Sequence, residues 1–252
     1  MMKLDLMNLA IEVTRKCNMS CAHCLRGDAQ NVDINIDLLE PFLENVESIT
    51  CITFTGGEPT LNVEAIERTL QICKKKNVPV MSFYIVTNGK NVSDRFIHAM
   101  LDWTLYCTEH NPYCTEYECG VVVSQDMFHD PIDENNIRKL KALSAYRENE
   151  KTVDWKKVHP LRLGRARNLP AAGIECCTPM RYKMNFDWCG ENLVVEDTVL
   201  ISATGEILAE CDYEYSEEKD LSIGNIRTME GLEEFMSNLM MMQMMDDEEA
   251  AV

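Results

Sequence analysis

The sequence predicts an α/β fold whose parallel sheet forms an open, partial barrel. Apolar, β-branched segments of strand length alternate with segments of helical periodicity between residues 6 and 163. This alternation is typical of parallel strands joined by right-handed helical crossovers. Six strands are predicted, which are too few for a closed eight-stranded barrel.

The predicted elements follow one another in a regular order. The strands are expected at residues 6–14, 48–55, 78–87, 103–107, 120–124 and 158–163. Helices are expected at 37–46, from 63 to 73 behind the capping residue Asn62, after Ser93 and Asp94, and around 137–143. Because parallel sheets bind ligands beyond the carboxyl ends of their strands, the residues that follow each strand are the candidates for chemistry.

Composition narrows the class of protein. The 252 residues carry a net charge of −18, which argues against a nucleic-acid groove, since such a groove needs clustered Lys and Arg. No apolar run approaches the length of a membrane span, and the first residues lack the apolar segment of a signal peptide. Twelve cysteines without such a signal indicate reduced thiols and metal ligands, so we expect a cytoplasmic protein.

Three cysteines lie within eight residues, directly after the first predicted strand. Cys17, Cys21 and Cys24 can hold one metal centre without help from distant parts of the chain. Iron–sulfur cubanes usually take four cysteines, and the next one, Cys51, lies on a different predicted strand. A cluster with three protein ligands keeps one iron free for a small molecule. A structural zinc site or buried thiols are the alternatives, although zinc sites more often use a second ligand pair downstream.

A second short motif, Thr-Gly-Gly-Glu-Pro at 55–59, follows the second predicted strand. Gly56 and Gly57 allow a close backbone approach to a ligand. Glu58 can accept hydrogen bonds from an ammonium group, and Pro59 stiffens the exit of the loop. Taken alone, the motif also fits a tight turn with an incidental carboxylate.

Together the two motifs resemble the signature of the radical S-adenosyl-L-methionine (SAM) enzymes. The resemblance implies a [4Fe–4S] cluster held by Cys17, Cys21 and Cys24, with the amino and carboxylate groups of SAM on the fourth iron. It also implies that His23, at a position that is usually aromatic, lies near the adenine, and that the loop 56–59 binds the methionyl amine. The partial barrel is the fold that this family implies.

Polar residues after later strands are further candidates for the SAM site. Asn88 could meet the ribose or the substrate, and Ser124 and Asp126 suit the SAM ribose or carboxylate. Arg162 and Arg165 could pair with the SAM carboxylate, since guanidinium groups match carboxylate geometry. Each of these residues is explained equally well as a solvated or capping side chain.

A small α+β extension with a hairpin around the turn at 203–205 is predicted after the barrel. It resembles the start of the SPASM and twitch extensions, which hold auxiliary iron–sulfur clusters. A full SPASM domain has seven ligating cysteines, and this chain has none after Cys211. One auxiliary cluster held by Cys177 (or Cys176), Cys189 and Cys211 is one hypothesis. A cluster-free remnant whose thiols pack in a small core is the other.

The expected domain boundaries follow these changes of pattern. The barrel is expected at 1–168, the extension at 169–239, and a flexible, Met-rich and acidic tail at 240–252. Leu232, Phe235 and Leu239 recur at helical spacing and predict a helix just before the tail.

The resemblance implies an enzyme that cleaves SAM reductively to a 5′-deoxyadenosyl radical, which abstracts hydrogen from a substrate. By analogy with members that carry auxiliary clusters, the expected substrate is a peptide or protein side chain. A nucleotide or other small-molecule substrate is an alternative, and so is a non-catalytic iron–sulfur redox protein. An electron donor such as flavodoxin or ferredoxin is the expected partner, and no residue stands out as a catalytic acid or base.

Overall fold

The computed structural model describes residues 3–111, 118–148, 159–170, 177 and 184–250, with side chains up to residue 241. The strands are β1 Leu4–Thr14, β2 Val46–Gly56, β3 Val80–Thr87, β4 Gly120–Val123, β5 Tyr146–Arg147, β6 Phe186–Cys189, β7 Asn192–Ile201, β8 Glu206–Leu208 and β9 Ser222–Asn225. The helices are α1 Leu39–Glu44, α2 Val63–Lys76, α3 Asp94–His110, α4 Glu134–Lys141 and α5 Met229–Ala250. Short 3₁₀ helices lie at Ile36–Leu38, Pro59–Asn62 and Gly164–Asn168.

The nine described strands form one open sheet. Its order is β5-β4-β3-β2-β1-β7-β8-β9, and β6 also pairs with β7. Strands β1 to β5 and β7 run parallel, whereas β6, β8 and β9 are antiparallel to their neighbours. The predicted mixed α/β fold with a mostly parallel, unclosed sheet is therefore confirmed.

Helix α2 illustrates how local sequence sets an element. The side chain of Asn62 accepts a hydrogen bond from the amide of Ala65 and caps the first turn. The helix ends at Lys76 and is capped by Asn77, which adopts the left-handed conformation with φ of +54°. Ile66 and Leu70 on its apolar stripe are buried in the main hydrophobic core, as the predicted periodicity requires.

Two of the predicted strands are not strands in the described structure. Residues 103–107 belong to α3, because Trp103 and Cys107 continue the buried helical stripe that begins at Phe96. A short apolar run has the same composition in a buried helix as in a buried strand. The helical spacing of the apolar residues over the longer segment from Phe96 to Cys107 distinguishes the two. Of the strand expected at 158–163, residues 159–163 are described and contribute only an isolated bridge between Leu161 and Cys177. The sixth parallel strand is β7.

The predicted C-terminal hairpin is present as β7 and β8. Strand β7 pairs with β1 in parallel, so the hairpin continues the sheet of the barrel across the boundary expected at residue 168. Helix α5 buries Leu232, Phe235 and Leu239 and extends to Ala250, through most of the segment expected as a tail. Among the residues that the structure describes, no helix is both long and apolar enough to cross a lipid bilayer.

Candidate functional site

A cavity of about 270 Å³ lies at the carboxyl ends of the parallel strands. It brings together the three cysteines of the loop 17–24, referred to below as the cysteine loop, and eight of the ten other residues considered for the SAM site. The lining includes Cys17, Cys21, Cys24, His23, Gly56, Gly57, Glu58, Pro59, Asn88, Ser124 and Arg165. Motifs separated by more than 140 residues of sequence therefore share one cavity, as expected if ligands bind beyond the carboxyl ends of parallel strands.

The three cysteines are free thiols and half-buried at the cavity wall. Burial raises the pKa of Cys21 to about 11, with further contributions from the neighbouring thiols of Cys17 and Cys24. Burial likewise raises the pKa of Cys17. Without a cation the loop therefore disfavours thiolates. Three soft sulfur donors around one cavity fit an iron–sulfur cluster that keeps one iron free for a small molecule.

The two glycines of the second motif pack against the backbone of residues 14–16, directly before the cysteine loop. The amide of Gly57 donates to the carbonyl of Thr14 over 2.8 Å, and that of Glu58 donates to Lys16 over 2.8 Å. A Cβ atom at Gly56 would lie 2.2 Å from the oxygen of Thr14, and one at Gly57 would lie 2.4 Å from that of Lys16. The close approach that glycine permits is thus made to the chain itself, which fixes the two motifs against each other.

Glu58 is buried, and its carboxylate holds the ends of two strands. One oxygen accepts from the hydroxyls of Thr60 and Thr87 at 2.6 and 2.7 Å, and also from the amide of Thr60. The other oxygen accepts from the amide of Asn88 at 2.8 Å. Glu58 therefore stands at the cavity wall in a fixed orientation, with lone-pair capacity left for an ammonium group.

Asn88 also supports the cysteine loop. Its side-chain amide donates to the side-chain carbonyl of Asn18 over 2.7 Å. Asn18 was not among the predicted residues, because an asparagine inside a loop carries no signal of a partner 70 residues away.

His23 belongs to a cluster of rings and a carboxylate beside the cavity. It stacks on Phe128 with ring centroids 4.6 Å apart, and its Nε2 lies 3.4 Å from Asp126. Asp126 lies beyond the described lining of the cavity and also binds Nδ1 of His129 at 2.7 Å. Burial lowers the pKa of His23, which favours a neutral imidazole. His129 lines the cavity but was not predicted, since its only sequence signal is its place three residues after Asp126.

Arg165 binds two backbone carbonyls of the cysteine loop. Its amide donates to the carbonyl of Cys24 over 3.0 Å, and its guanidinium donates to the carbonyl of Cys21 over 2.9 Å. A Cβ atom at Gly164 would lie 2.4 Å from the amide nitrogen of Gly27, so this turn also requires glycine. Arg162, the second arginine considered for the SAM carboxylate, is exposed and lies outside the described lining.

The segment 211–221, referred to below as the C-terminal arm, completes the cavity wall. Tyr215 lines the cavity, and its ring lies 4.3 Å from the guanidinium carbon of Arg15. Arg26 lies over the ring of Tyr213 at 4.0 Å and donates to its carbonyl. These cation–π contacts tie the arm to both ends of the cysteine loop.

A buried ion network lies beneath these contacts. Arg15 donates to Glu12 over 2.9 Å and also to Glu218 of the arm. The amide of Ala203 also donates to Glu12, and the hydroxyl of Thr204 donates to Glu218. Sequence reasoning missed this network, because its members lie on segments about 200 residues apart.

The cysteines considered for an auxiliary cluster are not gathered in the described structure. Cys189 pairs with Asn192 at the start of β7, whereas Cys211 packs against a small cluster that includes Leu200, near the end of β7. Eight residues of strand separate these levels, roughly 26 Å at about 3.3 Å per residue. Cys177 is exposed beside Leu161, and Cys176 lies outside the described residues.

Comparisons with known proteins agree with the geometry. The sequence profile of the Radical SAM superfamily matches residues 11–146, just over half of the chain. An S-adenosylmethionine-dependent nucleotide dehydratase of Flammeovirga pacifica is 37% identical over 102 residues, covering 34% of this chain and 33% of that protein. The putative protein YfkA of Bacillus subtilis is 38% identical over 68 residues, covering 25% and 18%. The chain thus spans a third or less of the length of these curated relatives.

Solved structures share the fold at low identity. The structure of histidine-tagged anSMEcpe with bound AdoMet aligns with a TM-score of 0.55 and 15% identity, covering 91% of this chain and 80% of that one. Native anSMEcpe with bound AdoMet and the Cp18Cys peptide aligns with a TM-score of 0.54 and 14% identity, covering 92% and 80%.

Proposed function

The chain belongs to the radical SAM superfamily and is an enzyme, and on that premise we propose that it uses SAM and a [4Fe–4S] cluster to modify a peptide or protein side chain. The observation that carries the proposal is the single cavity shared by the three thiols and the loop 56–59. When bound, the cluster supplies the electron that splits SAM into methionine and a 5′-deoxyadenosyl radical, which abstracts hydrogen from the substrate.

The residues of the chain bind and orient these groups. Cys17, Cys21 and Cys24 are the proposed cluster ligands. Glu58 is held at the cavity wall to accept from the methionyl ammonium. His23 offers a neutral ring face for the adenine.

The other predicted residues have supporting positions in this proposal. Gly56, Gly57 and Pro59 fix the loop that carries Glu58. Asn88 is proposed to meet the SAM ribose or the substrate, and Ser124 the SAM ribose or carboxylate, whereas Asp126 is proposed to act through His23. Arg165 positions the carbonyls of the cysteine loop.

The uncovered face of the sheet supports a peptide side chain as the substrate. Strand register places Ala10, Thr53 and Tyr84 side by side, so they share one face. The C-terminal arm covers this face at Ala10, but Tyr84 and Val86 each remain 37% exposed, and Val86 borders the cavity. An accessible aromatic and aliphatic surface next to the cavity suits an uncharged side chain.

Electrostatics disfavour a nucleotide at the same place. In the described part of the chain, each arginine of the cavity wall already has a carboxylate partner. The pairs are Arg15 with Glu218, Arg26 with Glu12 at 3.9 Å, and Arg165 with Asp28 at 3.1 Å. A triphosphate requires cations that are free to bind it.

The relatives support two substrate classes. The alignment with the fold neighbour whose structure contains a bound peptide covers 92% of this chain. The nucleotide dehydratase favours a nucleotide as the second candidate, but its similarity covers 34% of the chain.

One anaerobic experiment tests the function. Reconstituted protein is reduced and supplied with SAM, either alone, with deuterated candidate peptides encoded near the gene, or with a panel of nucleoside triphosphates. We expect 5′-deoxyadenosine in every arm and deuterium transfer into it from a peptide. Transfer from a nucleotide would replace the peptide with the second candidate. Absence of 5′-deoxyadenosine from iron-loaded protein would refute SAM cleavage itself.

The electron donor is part of the same proposal. Replacing the chemical reductant with reduced flavodoxin or ferredoxin is expected to sustain formation of 5′-deoxyadenosine, because the cluster requires one electron for each cleavage.

A further inference from the structure

Two cysteines outside the SAM cavity line a second cavity of about 290 Å³. Cys107 lies in the last turns of α3, and Cys119 directly precedes β4. Met81, Ala145 and Arg147 also line this cavity, beside the amino-terminal ends of β3 and β5. The pair therefore lies at the end of the sheet opposite the cysteine loop.

The two thiols differ in exposure and in acidity. Cys107 is buried, at 1% exposure, whereas Cys119 is half-buried. The thiol of Cys107 donates a hydrogen bond to the sulfur of Cys119, which lowers the pKa of Cys119 and raises that of Cys107. The amide of Phe83 and the charge of Arg147 also lower the pKa of Cys119. Cys119 is thus the nucleophile of the pair, with a second thiol in contact.

We propose that Cys107 and Cys119 form a dithiol site that reacts with low-molecular-weight disulfides and closes to an internal disulfide. The Cys119 thiolate attacks one sulfur of the small disulfide, forming a mixed disulfide and releasing one thiolate. Cys107 then loses its proton to solvent and attacks the sulfur of Cys119, releasing the second thiolate. Two protein thiols are oxidised by two electrons, and the small disulfide is reduced to two thiols.

The geometry of the pair carries this inference. Cys119 can be reached through the second cavity, and Cys107 lies within hydrogen-bonding contact of it, so the resolving step needs little backbone movement. The site is independent of the SAM chemistry, since neither cysteine lines the described SAM cavity.

The test uses the anaerobically reconstituted, full-length protein with oxidised glutathione as the probe. Remaining thiols are blocked with N-ethylmaleimide, and the protein is digested with a protease that cuts after glutamate. Glu109, Glu116 and Glu118 lie between the two cysteines, so they separate the fragments that carry Cys107, Cys114 and Cys119. We expect a disulfide-linked pair of the Cys107 and Cys119 fragments and release of two glutathione molecules for each pair formed.

Three variants sharpen the result. Cys114→Ser, at a position outside the described residues, is expected to keep the link. Cys119→Ser is expected to lose it. Cys107→Ser is expected to retain glutathione on Cys119 as a stable mixed disulfide.

The result for the wild-type protein is sufficient to refute the proposal, so the test does not depend on whether the variants fold. A link from either cysteine to Cys114 instead of the proposed partner would refute it. So would glutathione that remains on Cys119 of the wild type, or a pair that stays fully reduced while glutathione is in excess.

Discussion

Cys17, Cys21 and Cys24 share one loop, whereas Cys177, Cys189 and Cys211 lie on separate pieces of the chain. The first three face one cavity, and their loop is fastened by β2, β3, the turn at Arg165 and the C-terminal arm. Cys189 and Cys211 lie near opposite ends of β7. Short sequence spacing therefore gathers ligands only locally, and remote contacts hold the loop in shape. The following predictions test this difference, from the largest expected effect to the smallest.

The largest effect is expected from the ligands themselves. Cys21→Ala leaves too few thiolates for a stable cluster, so we expect at least a hundredfold loss of 5′-deoxyadenosine and a large fall in bound iron. Cys189→Ala, a matched change at an exposed thiol, is expected to keep both.

Iron and sulfide analysis after anaerobic reconstitution provides the measurement. The wild type is expected to bind about four iron and four sulfide ions per chain. Twice that amount, halved by Cys189→Ala, would show that the remote cysteines do hold a cluster.

The next largest effect is expected from the ion pair between Arg15, beside the cysteine loop, and Glu218 of the C-terminal arm. Glu218→Ala removes one buried partner of Arg15, and we expect a loss of about 3 kcal/mol in the free energy of unfolding. The cysteine loop is also expected to lose cluster occupancy. Urea unfolding monitored by circular dichroism measures the first effect, and iron content measures the second.

An exposed ion pair serves as the control for Glu218. Glu148→Gln breaks the surface pair with Lys141 and is expected to leave stability unchanged, because water screens such pairs. Equal losses in the two variants would show that the buried network does not support the loop.

A glycine beside each set of cysteines gives a third contrast. Gly57→Ala places a methyl group 2.4 Å from the oxygen of Lys16, and we expect a loss of about 2 kcal/mol together with reduced cluster loading. Gly190, next to Cys189, has φ of +67° and open space around its Cβ position among the described residues.

Gly190→Ala is therefore expected to lose only about 1 kcal/mol, from backbone strain, with cluster loading intact. Loading that falls equally in both variants would contradict the proposed role of the Gly57 contact. Urea unfolding and iron analysis provide both values.

The smallest effect is expected from Glu58→Gln. The amide keeps the size of the carboxylate but replaces one acceptor oxygen with an NH2 group. This group faces donors and cannot accept hydrogen bonds from them, so we expect a loss of about 1 kcal/mol in the free energy of unfolding. Loss of the negative charge is expected to weaken SAM binding about tenfold, a change of about 1.4 kcal/mol. Equilibrium binding of SAM to the reconstituted variant measures this change, and unaltered affinity would remove Glu58 from the amine site.

The sequence was sufficient to predict the open parallel sheet, because alternating apolar periods encode strands and helices locally. It also located both motifs of the cavity, since strand ends converge at one edge of a parallel sheet. It failed at 103–107, where a short, mostly apolar run fits a helix and a strand equally well and only the continuing stripe of α3 distinguishes them.

Tertiary structure alone decided what long-range pairing creates. It placed β7 beside β1, used Gly57 to join two loops, and buried Arg15 between Glu12 and Glu218. Local sequence patterns do not predict these partners, because the contacts of a buried charge or a glycine depend on which distant residues the folded chain brings beside it. The cysteines proposed as ligands can therefore be identified from the sequence, whereas the contacts that hold their loop can be identified only in the folded structure.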